Sequence, residues 1–568
     1  MSKYRKSPAD TTQLDRRKVL GLSLGSAIAL MSTTEAYASC INVGGTVTVV
    51  GSTGCVNWSG GNMTLTSNGT LSSSSAAALT ASALAGTLTN SGLLSGTSFA
   101  ALENTSNSLV AINNTAMLSD TVGLLNNGTI LSLTNNTGAT ISGNTAGIQN
   151  NTDIMSLINS GIITGGVGIS SAGNIGTLSN TGSITGTTVG LQNSGTITSL
   201  SNSTGTISGT TTGIQNDGAI TSLINSSIIT GGVGISSAGN IGTLSNTGSI
   251  TGTTVGLQNS GTITSLSNST GTISGTTTGI QNDGAITSLI NSSIITGGVG
   301  ISSAGNLGTL SNTGSITGTT VGLQNSGTIT SLNNSTGMIS GTTTGIQNSG
   351  TIDSLVNSST ITAAQAINNS GTLGTLVNSG TLSGSGYAIY NASTGTMGPV
   401  TNSGLIAGNI SNLSTSALII NGGTGTNFGT LTGSSGSIDS ASMGTIVSNA
   451  SDIYFSSGNL LLNDNVNVGS FTLRNTGSTL QVNNLVNITG NYAQSSSATL
   501  LLGVSDSAVS NGVTADRGYG RLIVSGTATI SSGSTVSLKS LNTWRFATGQ
   551  RYVVVTAAKT APVLMPAR

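Results

Sequence analysis

The sequence predicts an all-β parallel β-helix, a solenoid with coils of roughly 21–23 residues, a period typical of stacked repeats. Three observations support this prediction. One sequence block occurs three times, as residues 147–212, 213–278 and 279–344, and the second and third copies differ at only three positions. Each copy divides into smaller units, which in the first copy begin at Gly147, Gly168 and Gly190. The chain has 84 Gly and only 5% charged residues. Such fixed periods are typical of proteins whose units stack along one axis.

Aliphatic residues recur at fixed positions within a unit and predict short strands. Counted from the first Gly, they lie at positions 1, 7 and 10, as in Ile148, Ile154 and Leu157, and another Ile follows near position 16. β-Branched clusters between Gly, Asn and Ser are strand signals, and a helix would not accept Gly so often. We therefore expect three short strands per coil. The step from position 7 to position 10 breaks the alternation and predicts a bulge or corner there.

An Asn at position 12 predicts a buried ladder. It recurs in thirteen consecutive units, from Asn113 to Asn378, two residues after an inward Leu. Buried amides must be hydrogen-bonded, and identical residues stacked coil on coil can bond one another. The alternative is that these Asn mark surface turns. A second, weaker ladder at position 3 is interrupted by Ser171, Ser237 and Ser303. In the three copies the main predicted ladder consists of Asn159, Asn180, Asn202, Asn225, Asn246, Asn268, Asn291, Asn312 and Asn334.

The distribution of charge argues against a nucleic-acid partner. No Lys or Arg lies between Lys18 and Arg474, whereas ten acidic residues lie in that interval. After cleavage following Ala38, eight basic and eleven acidic residues remain. A chain that is slightly negative and lacks a basic stripe has no electrostatic footprint for nucleic acid.

We expect the protein not to be an enzyme and to hold no cofactor or metal. The chain has no His, which removes His-based acid–base chemistry and most zinc sites. Its repeats carry the single acids Asp153, Asp217 and Asp283, one per copy, so no carboxylate pair arises within a coil. An enzyme that cleaves polysaccharides on this fold is the alternative that these residues disfavour.

Residues 1–38 read as a signal peptide. Six basic residues precede an apolar run over residues 19–31, and Ala36 and Ala38 form an A-x-A cleavage signal. We expect the Sec machinery to export the chain, with the paired Arg16 and Arg17 leaving a twin-arginine route as the alternative.

The two cysteines predict a disulfide near the start of the mature chain. Cys40 and Cys55 are the only cysteines, and an exported protein reaches an oxidising compartment. A lipoprotein reading of Cys40 is the alternative, although the residues before it lack the aliphatic side chain that such a signal needs. We expect the disulfide to staple an N-terminal cap within residues 39–100, before the repeats of residues 101–412.

Residues 413–568 differ in composition from the repeats and resemble a known region. They carry the stretches 490–494 (GNYAQ), 498–500 (ATL), 519–528 (YGRLIVSGTA) and 549–555 (GQRYVVV). In this order they resemble the pertactin-like autochaperone region of autotransporter (type V secretion) passengers. The residues that carry the resemblance are Tyr492, Tyr519, Gly526, Gly549 and Tyr552.

The resemblance implies a right-handed β-helix displayed at the cell surface, and parallel crossovers are right-handed as a rule. It also implies a partner, the outer-membrane translocator barrel that family members carry in cis after this region. No barrel pattern is present in the 568 residues. We therefore expect a barrel from a separate chain or, for a truncated product, retention in the periplasm.

The function expected from these observations is that of a non-enzymatic adhesin or self-association (biofilm) protein. Many weak contacts along a Ser/Thr/Asn-rich rod would add through avidity, with the protein itself or surface glycans as partners. Polysaccharide or ice binding by the Thr-rich steps is the remaining alternative.

Overall fold

The computed structural model describes residues 28–30, 40–543, 545–558 and 560–566. These residues form a parallel β-solenoid of about 20 coils with 67% strand, which confirms the predicted fold class. The one helix among them is a single 3-10 turn, Ser440–Ser442. Of the predicted signal peptide, only the strand Ile28–Leu30 is described, and it lies parallel to Val47–Val49; the other residues of that prediction lie outside the described residues.

The first coils are short-stranded and irregular. Val47, Val56, Trp58 and Met63 are fully buried and begin the apolar core that continues through the solenoid. The strands that follow Ile28–Leu30 are Ile41–Val43, Val47–Val49, Ser52–Thr53, Val56–Trp58, Gly61–Leu65, Thr70–Ser73, Leu79–Ala81, Ala85–Asn90, Leu93–Gly96, Ala100–Asn104, Leu109–Asn114, Met117–Asn126, Ile130–Asn135 and Thr140–Asn150.

A typical repeat coil consists of two strands and not of the predicted three. Asp153–Asn159 is followed by the longer Ile162–Ser171, and each pairs in parallel with its equivalent one coil later. The long strand bends at a register shift between Gly165 and Val167 without ending, so it covers two faces of the coil. It splits into two strands only in every third coil, as in Thr206–Gly209 and Thr212–Asn216.

Inward aliphatic side chains explain why these strands form. Ile154, Leu157, Ile163 and Ile169 are all fully buried, and each stacks on an Ile or Leu of the next coil. Between Ile154 and Leu157 two consecutive residues leave the interior within one unbroken strand. The predicted irregularity at this step is thus a local change of alternation and does not divide the strand.

The repeat strands keep their bounds from copy to copy. They are Asp153–Asn159, Ile162–Ser171, Asn174–Asn180, Ser183–Asn193, Thr196–Asn202, Thr206–Gly209, Thr212–Asn216, Ala219–Asn225, Ile228–Ser237, Asn240–Asn246, Ser249–Asn259, Thr262–Asn268, Thr272–Gly275, Thr278–Asn282, Ala285–Asn291, Ile294–Ser303, Asn306–Asn312, Ser315–Asn325, Thr328–Asn334, Met338–Gly341, Thr344–Asn348, Thr351–Asn357, Thr360–Asn369, Thr372–Asn378 and Thr381–Asn391.

The C-terminal coils have longer excursions and larger core side chains. Phe455, Tyr492 and Tyr552 are buried there, and the last two described strands pair antiparallel, unlike those before them. The strands are Thr396–Met397, Val400–Asn402, Leu405–Asn412, Leu418–Asn421, Gly429–Thr432, Gly444–Val447, Ile453–Phe455, Asn459–Asn475, Thr479–Val482, Leu485–Gln494, Thr499–Val504, Arg521–Val524, Ala528–Ile530, Thr535–Ser540, Arg551–Ala557 and Thr560–Pro566.

Candidate interaction surface

The position-12 asparagines lie inside the solenoid and bond to one another. All nine Asn predicted in the copies are fully buried, and each donates its side-chain Nδ2 to the Oδ1 of the next at 2.8–2.9 Å. The ladder runs without a break from Asn90 to Asn402. Each Nδ2 also reaches backbone carbonyls, as Asn202 does to Ile228 O. The ladder therefore serves the interior and leaves the outer surface to other residues.

The prediction of the ladder is wrong for one residue, Asn113. Asn113 faces outward, and Asn114 takes the buried place and donates to Asn135 at 2.8 Å. The turn between Asn104 and Leu109 is one residue longer than the equivalent turn in the next coil, as the pairings of Leu102 with Leu124 and of Leu109 with Ile130 show. The extra residue shifts every later position of that coil by one.

The position-3 ladder is interrupted at the three serines. Asn150 donates to Ser171 Oγ at 3.0 Å, but Ser171 donates its own hydrogen to Gly173 O. Asn193, one coil later, keeps a buried Oδ1 with no hydrogen-bond partner. The same arrangement follows Ser237 and Ser303, at Asn259 and Asn325.

Cys40 and Cys55 form a disulfide with a Cα–Cα distance of 4.6 Å. It lies at the start of the described solenoid, where Ile41 N donates to Cys55 O. Its place is remote from the repeats, and it therefore belongs to the framework and not to a site.

The aromatic residues of the C-terminal region form part of the core. The Tyr492 hydroxyl donates to Gln494 Oε1 at 2.8 Å, and burial raises its pKa. The rings of Tyr519 and Tyr552 meet edge to face with centroids 5.0 Å apart. Gly526 N donates to Gly490 O, and Gly549 has φ +95°, a left-handed conformation that favours glycine. These residues hold the last coils together, and of the five only Tyr519 also lines a groove on the outside.

The outer surface of the repeats carries three isoleucine pairs. In each pair, one Ile comes just before a ladder Asn and the other comes just after the turn that follows this Asn. Both side chains therefore project outward from one edge of the solenoid. Their exposed fractions of 39–47% are high for isoleucine. The pairs are Ile158 and Ile162, Ile224 and Ile228, and Ile290 and Ile294.

Hydroxyl side chains separate the pairs along the axis. The register places Ser179 and then Ser201 on the line from Ile158 to Ile224. Ser183 and Thr206 follow Ile162 in the same way. One pair therefore recurs at every third coil, a spacing of about 14 Å at the usual distance between strands.

This edge has almost no charge. The only charged residues from 154 to 344 are Asp217 and Asp283, and both lie in turns at a different corner, where each accepts a hydrogen bond from a neighbouring Gln. The isoleucine pairs were not predicted from the sequence. A signal was present, because Ile stands there where the other two units of each copy have Ser or Thr, apart from Asn333 and Met338 in the third copy.

Among the described residues, no group of three or more His, Cys, Asp or Glu side chains could hold a metal ion. Within that same part of the chain, no helix has the length and apolar character needed to cross a membrane. Asp153 accepts from Asn174 Nδ2 at 3.0 Å and stands at the start of a strand, without a second carboxylate beside it in its coil.

Comparison with known proteins gives no match: no protein-family model, no curated protein and no solved structure is significantly similar to this chain.

Proposed function

We propose that the chain is a non-enzymatic, exported surface protein that associates with further copies of itself through the repeat edge. The β-solenoid fold is compatible with an adhesin-like passenger protein. The observation that carries the proposal is the set of three isoleucine pairs, spaced at about 14 Å on an uncharged, hydroxyl-rich edge.

A second copy is the partner that fits this pattern best. A partner that covers all three pairs must present apolar groups at the same spacing, and another copy of the repeated block does so. The absence of charge along the edge removes the repulsion that like surfaces would otherwise have. Nine coils give an edge about 43 Å long at the usual distance between strands, so the contact can extend along the whole set of repeats.

Export is the second part of the proposal. The signal-peptide pattern of residues 1–38 and the resemblance of residues 413–568 to an autochaperone region support it. On this proposal the Sec machinery moves the chain across the inner membrane, and an outer-membrane barrel, the translocator of autotransporters, presents it at the surface. Copies on neighbouring cells then meet edge to edge, and many weak contacts add.

The test replaces the isoleucine pairs by the residues that the chain itself uses one coil away. Ile158, Ile224 and Ile290 become Ser, and Ile162, Ile228 and Ile294 become Thr. Since Ser201 and Thr206 occupy the same register, the solenoid accepts these side chains. We expect the mass in analytical ultracentrifugation to fall from oligomer to monomer, and cells that display the variant to stop clumping.

The matched control replaces the same six residues by Val, which keeps the edge apolar and should keep association. Far-UV spectra check that both variants stay folded. A Ser/Thr variant that associates as strongly as the parent chain would refute the proposal. Attachment to foreign surfaces without self-association would instead favour adhesion to another partner.

A further inference from the structure

A groove on the outside of the C-terminal coils is lined by two arginines, in a chain with few basic residues. It has a volume of about 560 Å³ and lies between the excursion that contains residues 437–440 and the segment 505–521. Its lining includes Ile438, Asn483 and Leu541 beside two arginines, Arg517 and Arg521. We call it the basic groove.

Arg521 is a buried cation without a carboxylate partner. Its exposed fraction is 9%, its Nη1 donates to Thr514 O at 2.7 Å, and its Cζ lies 5.9 Å from the centre of the Tyr519 ring. Within the described residues it forms no ion pair, and the nearby buried Asp516 accepts instead from backbone N–H groups of its own loop. A guanidinium has five N–H donors, and a buried charge left unpaired is costly. Its free donors therefore define a place for an anion at the groove.

The other charged groups of the groove do not neutralise it. Arg517 is exposed and, among the described side chains, likewise forms no ion pair. Asp439 is the single acid of the lining, and its carboxylate accepts from the Ser437 hydroxyl at 2.8 Å and from Ala441 N at 2.9 Å. The Ser437 hydrogen bond, as the largest cause, lowers the pKa of Asp439. That carboxylate stays ionised and is held by its own loop, so the lining carries two guanidinium groups against one carboxylate and keeps a net positive charge.

We propose that the basic groove binds an acidic oligosaccharide of the uronate class. Planar guanidinium forks bind carboxylates with two parallel hydrogen bonds. The lining also offers the Asn483 amide and the Ser440 hydroxyl, groups that bond to sugar hydroxyls, and the apolar side chains of Ile438 and Leu541, which can cover ring C–H groups. The groove is far along the chain from the isoleucine pairs. Binding of a ligand there therefore does not depend on self-association through the repeat edge.

The test measures binding of trigalacturonate to the full chain by isothermal titration calorimetry, with a neutral galactose trimer as the comparison. We expect saturable binding of the uronate only. Arg521→Gln and the exposed Arg517→Gln should each weaken it about tenfold or more, because each removes a charged hydrogen-bond donor. Arg551→Gln removes the same charge outside the groove lining and should leave affinity unchanged.

Each other result counts against the proposal. Equal binding of the neutral trimer would exclude carboxylate recognition, and equal weakening by Arg551→Gln would reveal diffuse charge attraction. Stronger binding of a pentaglutamate peptide would assign the groove to acidic peptides. If Arg521→Gln unfolds the protein, Arg517→Gln decides, because an exposed side chain is not needed for folding. Unchanged affinity in that variant would overturn the proposal.

Discussion

Single hydrogen bonds decide whether the two asparagine ladders are continuous. The position-12 ladder runs unbroken, whereas the position-3 ladder loses one bond wherever Ser replaces Asn. A buried acceptor without a donor costs about 1–3 kcal/mol. The buried Oδ1 atoms of Asn193, Asn259 and Asn325 thus each lack a hydrogen-bond donor. One substitution at each place could supply that donor.

The first prediction is that Ser171→Asn stabilises the solenoid. Asn150 and Asn193 already occupy the same column one coil before and after, so the backbone there accepts Asn. The new Nδ2 would donate to Asn193 Oδ1 and add about 1 kcal/mol. Urea unfolding followed by circular dichroism measures the gain. Ser170→Asn, whose side chain points outward, is the control, and an equal gain there would contradict the explanation.

The second prediction concerns the pH dependence that Asp464 introduces. The carboxyl is fully buried, Gly444 N donates to its Oδ1 at 2.7 Å, and its Oδ2 has no partner within the described structure. Burial raises its pKa to about 7. The unfolded chain releases this proton near pH 4, whereas the native protein holds it until about pH 7. Stability should therefore fall as pH rises through that window and stay low above it.

Asp464→Asn removes the titrating group and should flatten this dependence. The gain at pH 8 relative to the parent chain is at most roughly 4 kcal/mol, and thermal unfolding between pH 4 and pH 8 measures it. Replacement of the exposed Asp506 by Asn serves as the control. A parent chain whose stability rises from pH 4 to pH 7 would show that another group dominates.

At the scale of the structural element, a complete copy of three coils is the unit that can be removed. Residues 213–278 form one complete copy, and their deletion joins Thr212 to Gly279 in the same register that Thr212 has with Gly213. Each remaining coil keeps a neighbour with the same inward residues.

The third prediction is that the variant without residues 213–278 folds and remains as rich in strand as the parent chain. It should be shorter by about 14 Å, three strand spacings, which small-angle X-ray scattering can measure. Deletion of residues 213–267 ends in the middle of a coil. It therefore stacks inward residues of one coil on outward residues of the next. We expect that variant to misfold, and equal stability of the two deletions would argue against register control.

Much of the repeat coil could be predicted from the sequence because the same residue types recur at the same positions. The inward Ile and Leu and the buried Asn repeat in every coil, so a local rule applies many times over. The number of strands was not predictable in the same way, because the long strand turns its corner at Gly165 without ending. Asn113 was misplaced because a single longer turn alters a position count.

The interaction sites were less predictable because they depend on contacts between distant residues. The exposure of Ile158 follows only once its neighbours in the fold are known. The basic groove brings together Asp439, Asn483 and Arg521, which lie far apart in the sequence. Only the concentration of basic residues after position 473 pointed towards this region.

At the scale of the whole molecule, the C-terminal coils bury aromatic side chains that the repeats lack. Phe455, Tyr492 and Tyr552 bury large side chains there, whereas the repeats offer narrow rows of Ile and Leu. Larger apolar surfaces give more free energy on burial, so these coils can form first and pair the next one.

The fourth prediction is that deletion of residues 460–568 slows refolding of the repeats far more than deletion of the complete copy 213–278 from within them. Refolding from urea, followed by circular dichroism, measures the rates of both variants. Similar rates would mean that folding begins within the repeats.

The continuous ladder also makes the molecule electrically directional. Every ladder amide from Asn90 to Asn378 points its Nδ2 towards the next coil, so the side-chain dipoles add instead of cancelling. Hydrogen-bonded chains of this kind polarise one another, as aligned peptide units do in a helix. The positive pole faces the C-terminal coils, where all the described basic residues lie. The solenoid therefore has a net dipole along its axis. Two copies in solution should prefer to align head to tail, or side by side in opposite directions.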